Sequence, residues 1–363
     1  MSNIFIRTNI APYRVDTYNA LHEKLGMKMC FYRRKGKAQN FDVDAIEARC
    51  SFTPVYLKGI TLGRESRKLC FGIWRMLRKE RPELVIVPEF QICAVQVLLY
   101  RFLSGRKFKV VSMTDDSYDM IAGGNDFTRL HAGLRGFFPK YLDDLIVVTP
   151  EVRDWYQKNY GKGIWLPILM DDSSAVVNYE RILPLSRKIA EEYELSGKRV
   201  VLSVSRLVEL KNLHRVIDAF ARTEEDAVLV IVGDGPERES LEKHASEVGK
   251  EVLFTGRFDG DMLYAWYNLA SVFVLASIQE SFGAVTNEAL LSGCRVVISG
   301  KAGSACLVDA SNGETIDPED IDCIAAAIDR QLRISHIPGL ETARNSLMTV
   351  SFQDRINNLV QSL

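Results

Sequence analysis

Two glutamates, Glu280 and Glu288, flank a small Phe-Gly-Ala turn in the segment ESFGAVTNEALLSG. The apolar run SVFVLAS just before it reads as a buried strand, and GAVTNEALLSG as a short helix closed by Gly293. The turn then lies at the carboxyl edge of a strand, where open α/β sheets bind ligands. Free amides and the positive end of a helix suit a phosphate there, while the two carboxylates can accept hydrogen bonds from hydroxyls. Upstream, SVSRLVELKN puts Arg206 and Lys211 in the loop that leaves the strand KRVVLSV. Two cations at a strand exit can neutralise a diphosphate. The plainer alternatives are surface glutamates on a solvated helix, Arg206 paired with Glu209, and a solvated Lys211. Phosphate and several hydroxyls together are the marks of a nucleotide sugar.

With VIVGDGPERESLEK (230–243), VLFTGRFDGDMLYAWYNLASVFVLAS (252–277) and TIDPED (315–320) added in order, the stretch from Lys198 to about Asp320 resembles the donor half of glycosyltransferase family 4. That resemblance implies a GT-B fold: two facing Rossmann-like domains with parallel sheets, and a C-terminal helix crossing back to the first. It implies that Arg206 and Lys211 hold the donor diphosphate, that Glu280 meets the transferred sugar and that Glu288 meets the ribose. The amides of Phe282, Gly283 and Ala284 would face the diphosphate, and the base would lie near Gly256 and Arg257. Members of the family retain anomeric configuration, and the leaving phosphate is thought to take the acceptor proton, so no strong side-chain base is required.

The elements positioning these residues alternate. In the first 170 residues, strands at 4–8, 27–32, 84–87, 109–113 and 145–148 are separated by helical patterns, which implies a parallel sheet. Pro12 fits the first turn of a helix. Family members often carry a glycine-rich loop there, but Ala11 and Pro12 stand in its place and proline has no amide hydrogen to offer. Asn9 and Arg14 are candidate ligands for an acceptor or phosphate, with Arg14 alternatively a surface helix residue. After the strand KVVSM, where relatives place a histidine, Asp115 and Asp116 are candidates for the acceptor, or one of them caps the next element. The domain boundaries expected are 1–172, a linker at 173–197, a nucleotide-sugar domain at 198–338 and a crossing helix at 339–363.

The 363 residues, 47% apolar, suffice for two cores. No run reaches 18 uncharged apolar residues and the N-terminus shows no secretory pattern, so a cytoplasmic protein is expected. Seven cysteines without a CxxC fit free thiols. The net charge of −1 hides an asymmetry: residues 1–172 carry +8 and the remainder −9. A basic half suggests an anionic partner, a lipid diphosphate or a membrane surface; nucleic acid is not indicated, since zinc-finger and RRM signatures are missing. The stretch 63–84 puts Cys70, Ile73, Trp74 and Leu77 on one helical face and Arg64, Lys68, Arg75 and Lys79 elsewhere, which suits either packing on the sheet or an anionic membrane. The basic runs YRRKGK (32–37) and RFLSGRKFK (101–109) add to it.

Two Asp-x-Asp matches, Asp42/Asp44 and Asp259/Asp261, raise the question of a divalent ion. Neither follows a buried strand as such ligands would, and Asp259 reads as the cap of a helix, so metal-independent transfer without a cofactor is expected. The reading is a retaining transferase moving a sugar from a UDP- or GDP-linked donor to a saccharide, polyprenyl-diphosphate-linked, in capsule or lipopolysaccharide assembly. The alternatives are a nucleotide-sugar epimerase of related fold and a non-catalytic nucleotide-sugar-binding module. A dinucleotide dehydrogenase is disfavoured because no GxGxxG follows a strand.

Overall fold

The structure is a computed structural model that describes residues 3–34, 42–61, 68–89, 91–122 and 129–363. Residues 35–37 of the first basic run, 63–67 of the amphipathic stretch and the GGND segment at 123–126 lie outside the described residues. The chain divides into two compact units, Met1–Leu169 with Phe352–Leu363, and Met170–Ser351.

The first unit is built on β1 (Ile4–Arg7), β2 (Lys28–Phe31), β3 (Val55–Tyr56), the hairpin β4 (Gly59–Thr61) and β5 (Lys68–Cys70), then β6 (Leu84–Pro88), β7 (Lys109–Met113), β8 (Asp144–Val147) and β9 (Ile164–Trp165). Seven of these strands form a parallel sheet in the order β3-β2-β1-β6-β7-β8-β9, with β4 and β5 paired apart from it. The five strands expected here are present, each within a residue. β3 and β9, two residues each, are too short to show a period in sequence. Val85, Val87, Val110 and Leu145 on one face of the sheet pack on Cys93, Val97 and Val152 of its helices. Runs buried on both faces are read as strands because covering helices leave no polar side.

The amphipathic stretch is shorter than its sequence suggests. The helix is Ile73–Glu80, with Ile73 and Leu77 buried, whereas Cys70 and Lys68 belong to β5. Lys68 is also buried, donating to the carbonyls of Tyr32 and Leu57 at 2.6 Å each, so it is not on a basic face. The antiparallel register with β4 fixes both residues on the inner side of the hairpin. The C-terminal helix is likewise shorter than 339–363: only Phe352–Ser362 is helical, and it belongs to the first unit, where Arg355 stacks on Trp165 at 4.4 Å.

The second unit holds β10 (Val200–Val204), β11 (Val228–Val232), β12 (Val252–Gly256), β13 (Val272–Leu275), β14 (Arg295–Ser299) and β15 (Gly313–Ile316). They form one parallel sheet in the order β12-β11-β10-β13-β14-β15. Residues 173–197, expected as a linker, fold mostly into the helix Asp172–Glu192 within this unit. Its Tyr179, Ile182, Leu183 and Ile189 are buried, at about 1.5–3 kcal/mol for each apolar side chain removed from water. Asn268 fastens it by donating to the Tyr179 carbonyl and the Ser186 hydroxyl, at 3.1 and 3.2 Å. Among the described residues no helix is long and apolar enough to cross a membrane.

Candidate active site

In the second sheet, strand order reverses between β10 and β13, and this is where the basic and acidic motifs converge. The loop after β10 is fixed from both sides. Ser205 N donates to the Val232 carbonyl at 3.1 Å and Leu207 N to the Asp234 carbonyl at 3.0 Å. The facing loop must be glycine: a Cβ on Gly233 would lie 1.8 Å from the Ser205 oxygen, and one on Gly235 2.3 Å from the Leu207 oxygen. Asn212, in the left-handed region at φ 58°, donates its side-chain amide to the carbonyls of Ala276 and Pro318, tying the ends of β13 and β15 to this loop. Arg206 is thereby displayed to solvent, and Lys211 turns toward β13.

Lys211 forms an ion pair with Glu280, with both side chains less than a fifth exposed. Two motifs 69 residues apart in sequence meet in one contact, and among the described residues no ion pair joins Arg206 to Glu209. The turn after Glu280 is braced by the loop before β15. Gly303 N donates to the Glu280 carbonyl at 3.2 Å and Ser304 N to the Phe282 carbonyl at 2.6 Å, while the Ser304 and Thr286 hydroxyls bond at 2.8 Å. Phe282 is buried. Gly283 has φ 88°, and a Cβ there would come within 2.8 Å of Leu275 and 3.0 Å of the Ser304 hydroxyl. Ala284 leads into the helix Val285–Leu291, which Gly293 follows at φ 76°. Glu288, half-buried on that helix, accepts from the hydroxyl of fully buried Tyr267 at 2.9 Å. Burial and then the Glu288 charge push the Tyr267 hydroxyl well above its ordinary range, so it stays a donor. Tyr267, Ser304 and Asn212 were not legible as site residues; only Asn212, a polar side chain closing the loop, carried a sequence cue.

Gly256 ends β12 at φ 82° and its carbonyl accepts from Gly233 N at 2.8 Å. Asp259 is the N-cap residue of the helix Gly260–Leu269, but its side chain pairs with Arg257 at 3.0 Å and makes no capping hydrogen bond. Asp261 takes a two-pronged contact from Arg181, 2.8 Å on each oxygen. Asp42 caps its own helix and Asp44 pairs with Arg34.

The chain matches the protein-family model described as glycosyl transferases group 1 over residues 186–344. The matched residues all lie in the second unit. The chain is 34% identical over 156 residues to a GDP-mannose-dependent alpha-(1-6)-phosphatidylinositol monomannoside mannosyltransferase of Mycolicibacterium smegmatis, covering 39% of this chain and 40% of that protein. The alignment thus spans well under half the length of the curated relatives, 36% and 40% for two of them. Whole-chain likeness comes from solved structures. A lipopolysaccharide outer core galactosyltransferase superposes with TM-score 0.70 at 19% identity, over 100% of this chain and 99% of that one. The Anabaena HepE structure solved with UDP gives TM-score 0.72 at 16% identity over the full length of both. The chain therefore has the GT-B fold, as the resemblance implied.

The first unit's sheet also reverses its strand order, between β1 and β6, and a second charged cluster occupies that edge. Arg7, the last residue of β1, donates to the Met113 carbonyl at 2.8 Å and to Asp115 at 2.9 Å. Arg14, expected as a ligand or a surface residue, is fully buried and ion-paired with Asp115; its Nε and Nη1 find no hydrogen-bond partner among the described residues. Burial opposes the Asp115 charge, but Arg14 and Arg7 outweigh it and hold its carboxyl below the ordinary range. Asp116 parts from its neighbour. It is buried against Arg135, at 3.1 and 3.2 Å, and accepts from the Tyr156 hydroxyl at 3.3 Å. Its oxygens are thus occupied inside the unit, which corrects its reading as an acceptor contact. Asn9 is half-buried in the loop after β1. Sequence reasoning missed Glu89, just past β6, which accepts weakly from Asp115 N at 3.4 Å. Burial, then Asp116 and Asp115, push it up to about 7. A carboxylate directly after the buried run LVIVP was the available cue, as was an arginine ending IFIR.

Proposed function

We propose that the protein is a retaining glycosyltransferase that moves a sugar from a nucleoside diphosphate sugar, UDP- or GDP-linked, to a saccharide acceptor carried on a polyprenyl diphosphate, in the cytoplasm, during surface polysaccharide assembly. The observation that carries this reading is the Lys211–Glu280 pair at the β10/β13 reversal, with exposed Arg206 beside it and Glu288 held by Tyr267. Two cations and two carboxylates at one sheet edge match a ligand that joins a diphosphate to hydroxyl-bearing rings. Arg206 and Lys211 bind the diphosphate and stabilise the leaving nucleotide, Glu280 orients the transferred sugar, and Glu288 takes the ribose. Phe282, Gly283 and Ala284 line the diphosphate, and Gly256 and Arg257 border the base. The bond from the anomeric carbon to the diphosphate breaks, the acceptor oxygen bonds to that carbon on the same face, and its proton passes to the leaving phosphate. Asp115, Arg14 and Asn9 serve the acceptor side. The names of the relatives support both donor bases, GDP-mannose for the mycobacterial-type enzyme and UDP for HepE, and support a lipid or lipopolysaccharide setting.

The test is thermal unfolding with UDP, GDP, ADP, dTDP and CMP in turn. One diphosphate at about 100 times its dissociation constant should add roughly 2.7 kcal/mol, and Lys211→Ala should lose that gain. Silence with all five overturns the donor reading. Glu280→Ala should lower sugar transfer on the order of 10²-fold or more while leaving folding intact. Turnover of the donor without any acceptor would favour the epimerase instead, and loss of transfer in EDTA with recovery on Mn²⁺ would overturn metal independence.

A further inference from the structure

The helix Ile92–Ser104 is apolar on both sides. Cys93, Ala94, Val97 and Tyr100 are buried against the first sheet. On the opposite side Val95, Leu99, Phe102 and Leu103 form a second stripe at helical spacing that points into solvent, Phe102 82% and Leu103 62% exposed. The stripe continues sideways. Gln96 bonds the backbone of Cys70 with both ends of its amide, at 3.0 Å each, and its carbonyl accepts from the Trp74 indole at 2.9 Å. This brings the outward side of the hairpin, with the cross-strand pair Ile60 and Leu69 and then Phe71, next to the helix, all of them exposed. A folded unit alone gains nothing from such a patch, and contiguous exposed apolar surface marks a docking site.

The surroundings of the patch are cationic. Arg75, Arg78 and Lys79 are exposed on the neighbouring helix and Lys107 just beyond the apolar one, and among the described residues none of the four has a carboxylate in ion-pair range. Where the two helices end, a cavity of about 360 Å³ is lined by Arg81, Arg106, Lys107, Glu83, Tyr100 and Phe108. Three cations face one carboxylate there, and Nη1 of Arg106 is buried without a hydrogen-bond partner. An unpaired guanidinium nitrogen in a cationic cavity calls for an oxyanion.

We infer that this face of the first unit docks on an anionic lipid bilayer, Phe102 and Leu103 entering the acyl boundary while the Arg81/Arg106/Lys107 cavity receives a lipid phosphate. A bilayer supplies apolar depth and phosphate charge at one surface. A second copy of the chain on the same patch would bring Arg75, Arg78 and Lys79 against their own kind, which disfavours self-association. The inference concerns lipid and not the donor, so it stands or falls apart from the transferase reading.

The test is co-sedimentation with vesicles of phosphatidylcholine alone and of equal parts phosphatidylcholine and phosphatidylglycerol. Binding is expected to the second and not the first, and to weaken as salt rises. Phe102→Asp with Leu103→Asp should reduce the bound fraction at least about tenfold with an unchanged unfolding temperature, since both side chains face water. Arg106→Gln with Lys107→Gln should remove the preference for the anionic vesicles while weak binding through the apolar stripe persists. Equal binding by wild type and the Asp variant, or no binding to either vesicle, overturns the inference. So does a lipid-free dimer that dissociates in the Asp variant, which would give the face to a second copy.

Discussion

The carboxyl edges of the two sheets use the same charged residue types in opposite ways. At the second edge, Lys211 and Glu280 form a one-to-one pair and Arg206 stands free beside it. On the proposed function a diphosphate would take the lysine and a sugar hydroxyl the glutamate, so the pair would exchange partners on donor binding. At the first edge, Asp115 is held between Arg7 and Arg14, and Asp116 is enclosed with Arg135. There the charges brace the loop after β7, and the group with freedom to change state is Glu89. A pair on a rim can exchange partners, whereas Asp116, enclosed with Arg135, is a fixed anchor.

The largest effect that separates these roles is on folding. Asp116→Ala takes a buried carboxylate away from the buried Arg135 charge, a change that costs up to about 3–5 kcal/mol. The Arg135 and Asp116 side chains are 5% and 2% exposed, so solvent offers little relief. Urea unfolding should show that loss, whereas Glu280→Ala, on a pair whose side chains keep 16% and 18% exposure, should cost distinctly less. Equal losses for the two variants would erase the distinction between anchor and exchangeable pair.

That distinction also explains what the sequence could reveal. The β10/β13 site was readable because each contributor sits within a few residues of a strand end, so pattern and turn residues fix its place. Even so, Lys211 meeting Glu280, and Tyr267 holding Glu288, depend on tertiary packing that no local window contains. The first edge was harder because its bonds join residues about a hundred positions apart: Arg7 to Asp115 spans 108 and Arg14 to Asp115 spans 101. Arg14 thus read as either a ligand or a surface residue when it is buried, and Asp116 as either an acceptor contact or a cap when it is enclosed with Arg135. The parallel sheets themselves were legible from the runs LVIV, KVVSM and VVLSV. The hairpin β4–β5 was not, since strands of three residues show no period, and this is why Lys68 and Cys70 read as helical.

The second effect is on pH dependence. Glu89 is raised from 4.5 to about 7, so the folded state prefers it protonated. The stability this preference contributes is complete below about pH 4.5 and is lost as pH climbs through 7. Glu89→Gln keeps a neutral side chain of the same shape and has no proton to lose. Relative to wild type it should gain about 1–3 kcal/mol between pH 5 and pH 8. Parallel stability curves for the two proteins across that window would show that Glu89 titrates as an ordinary surface carboxylate. The result also bears on ligands: with Glu89 protonated the Arg7, Arg14 and Asp115 group carries a net positive charge, and an anionic acceptor should bind more tightly at pH 6 than at pH 8.

The smallest effect sharpens the second edge. Tyr267→Phe removes only the hydroxyl that donates to Glu288 at 2.9 Å, inside a side chain that is fully buried. Losing a hydrogen bond to a charged acceptor is worth about 1.5–3 kcal/mol at most, and Glu288, being only half-buried, recovers part of it from water. The net cost should be about 1 kcal/mol. On the proposed function Glu288 meets the ribose and not the bond that breaks, so the cost should fall on KM for the donor, about fivefold, with kcat nearly unchanged. A fall in kcat with KM unchanged would move Glu288 from holding the nucleotide to acting on the transferred sugar, and would leave Glu280 to be reassigned with it.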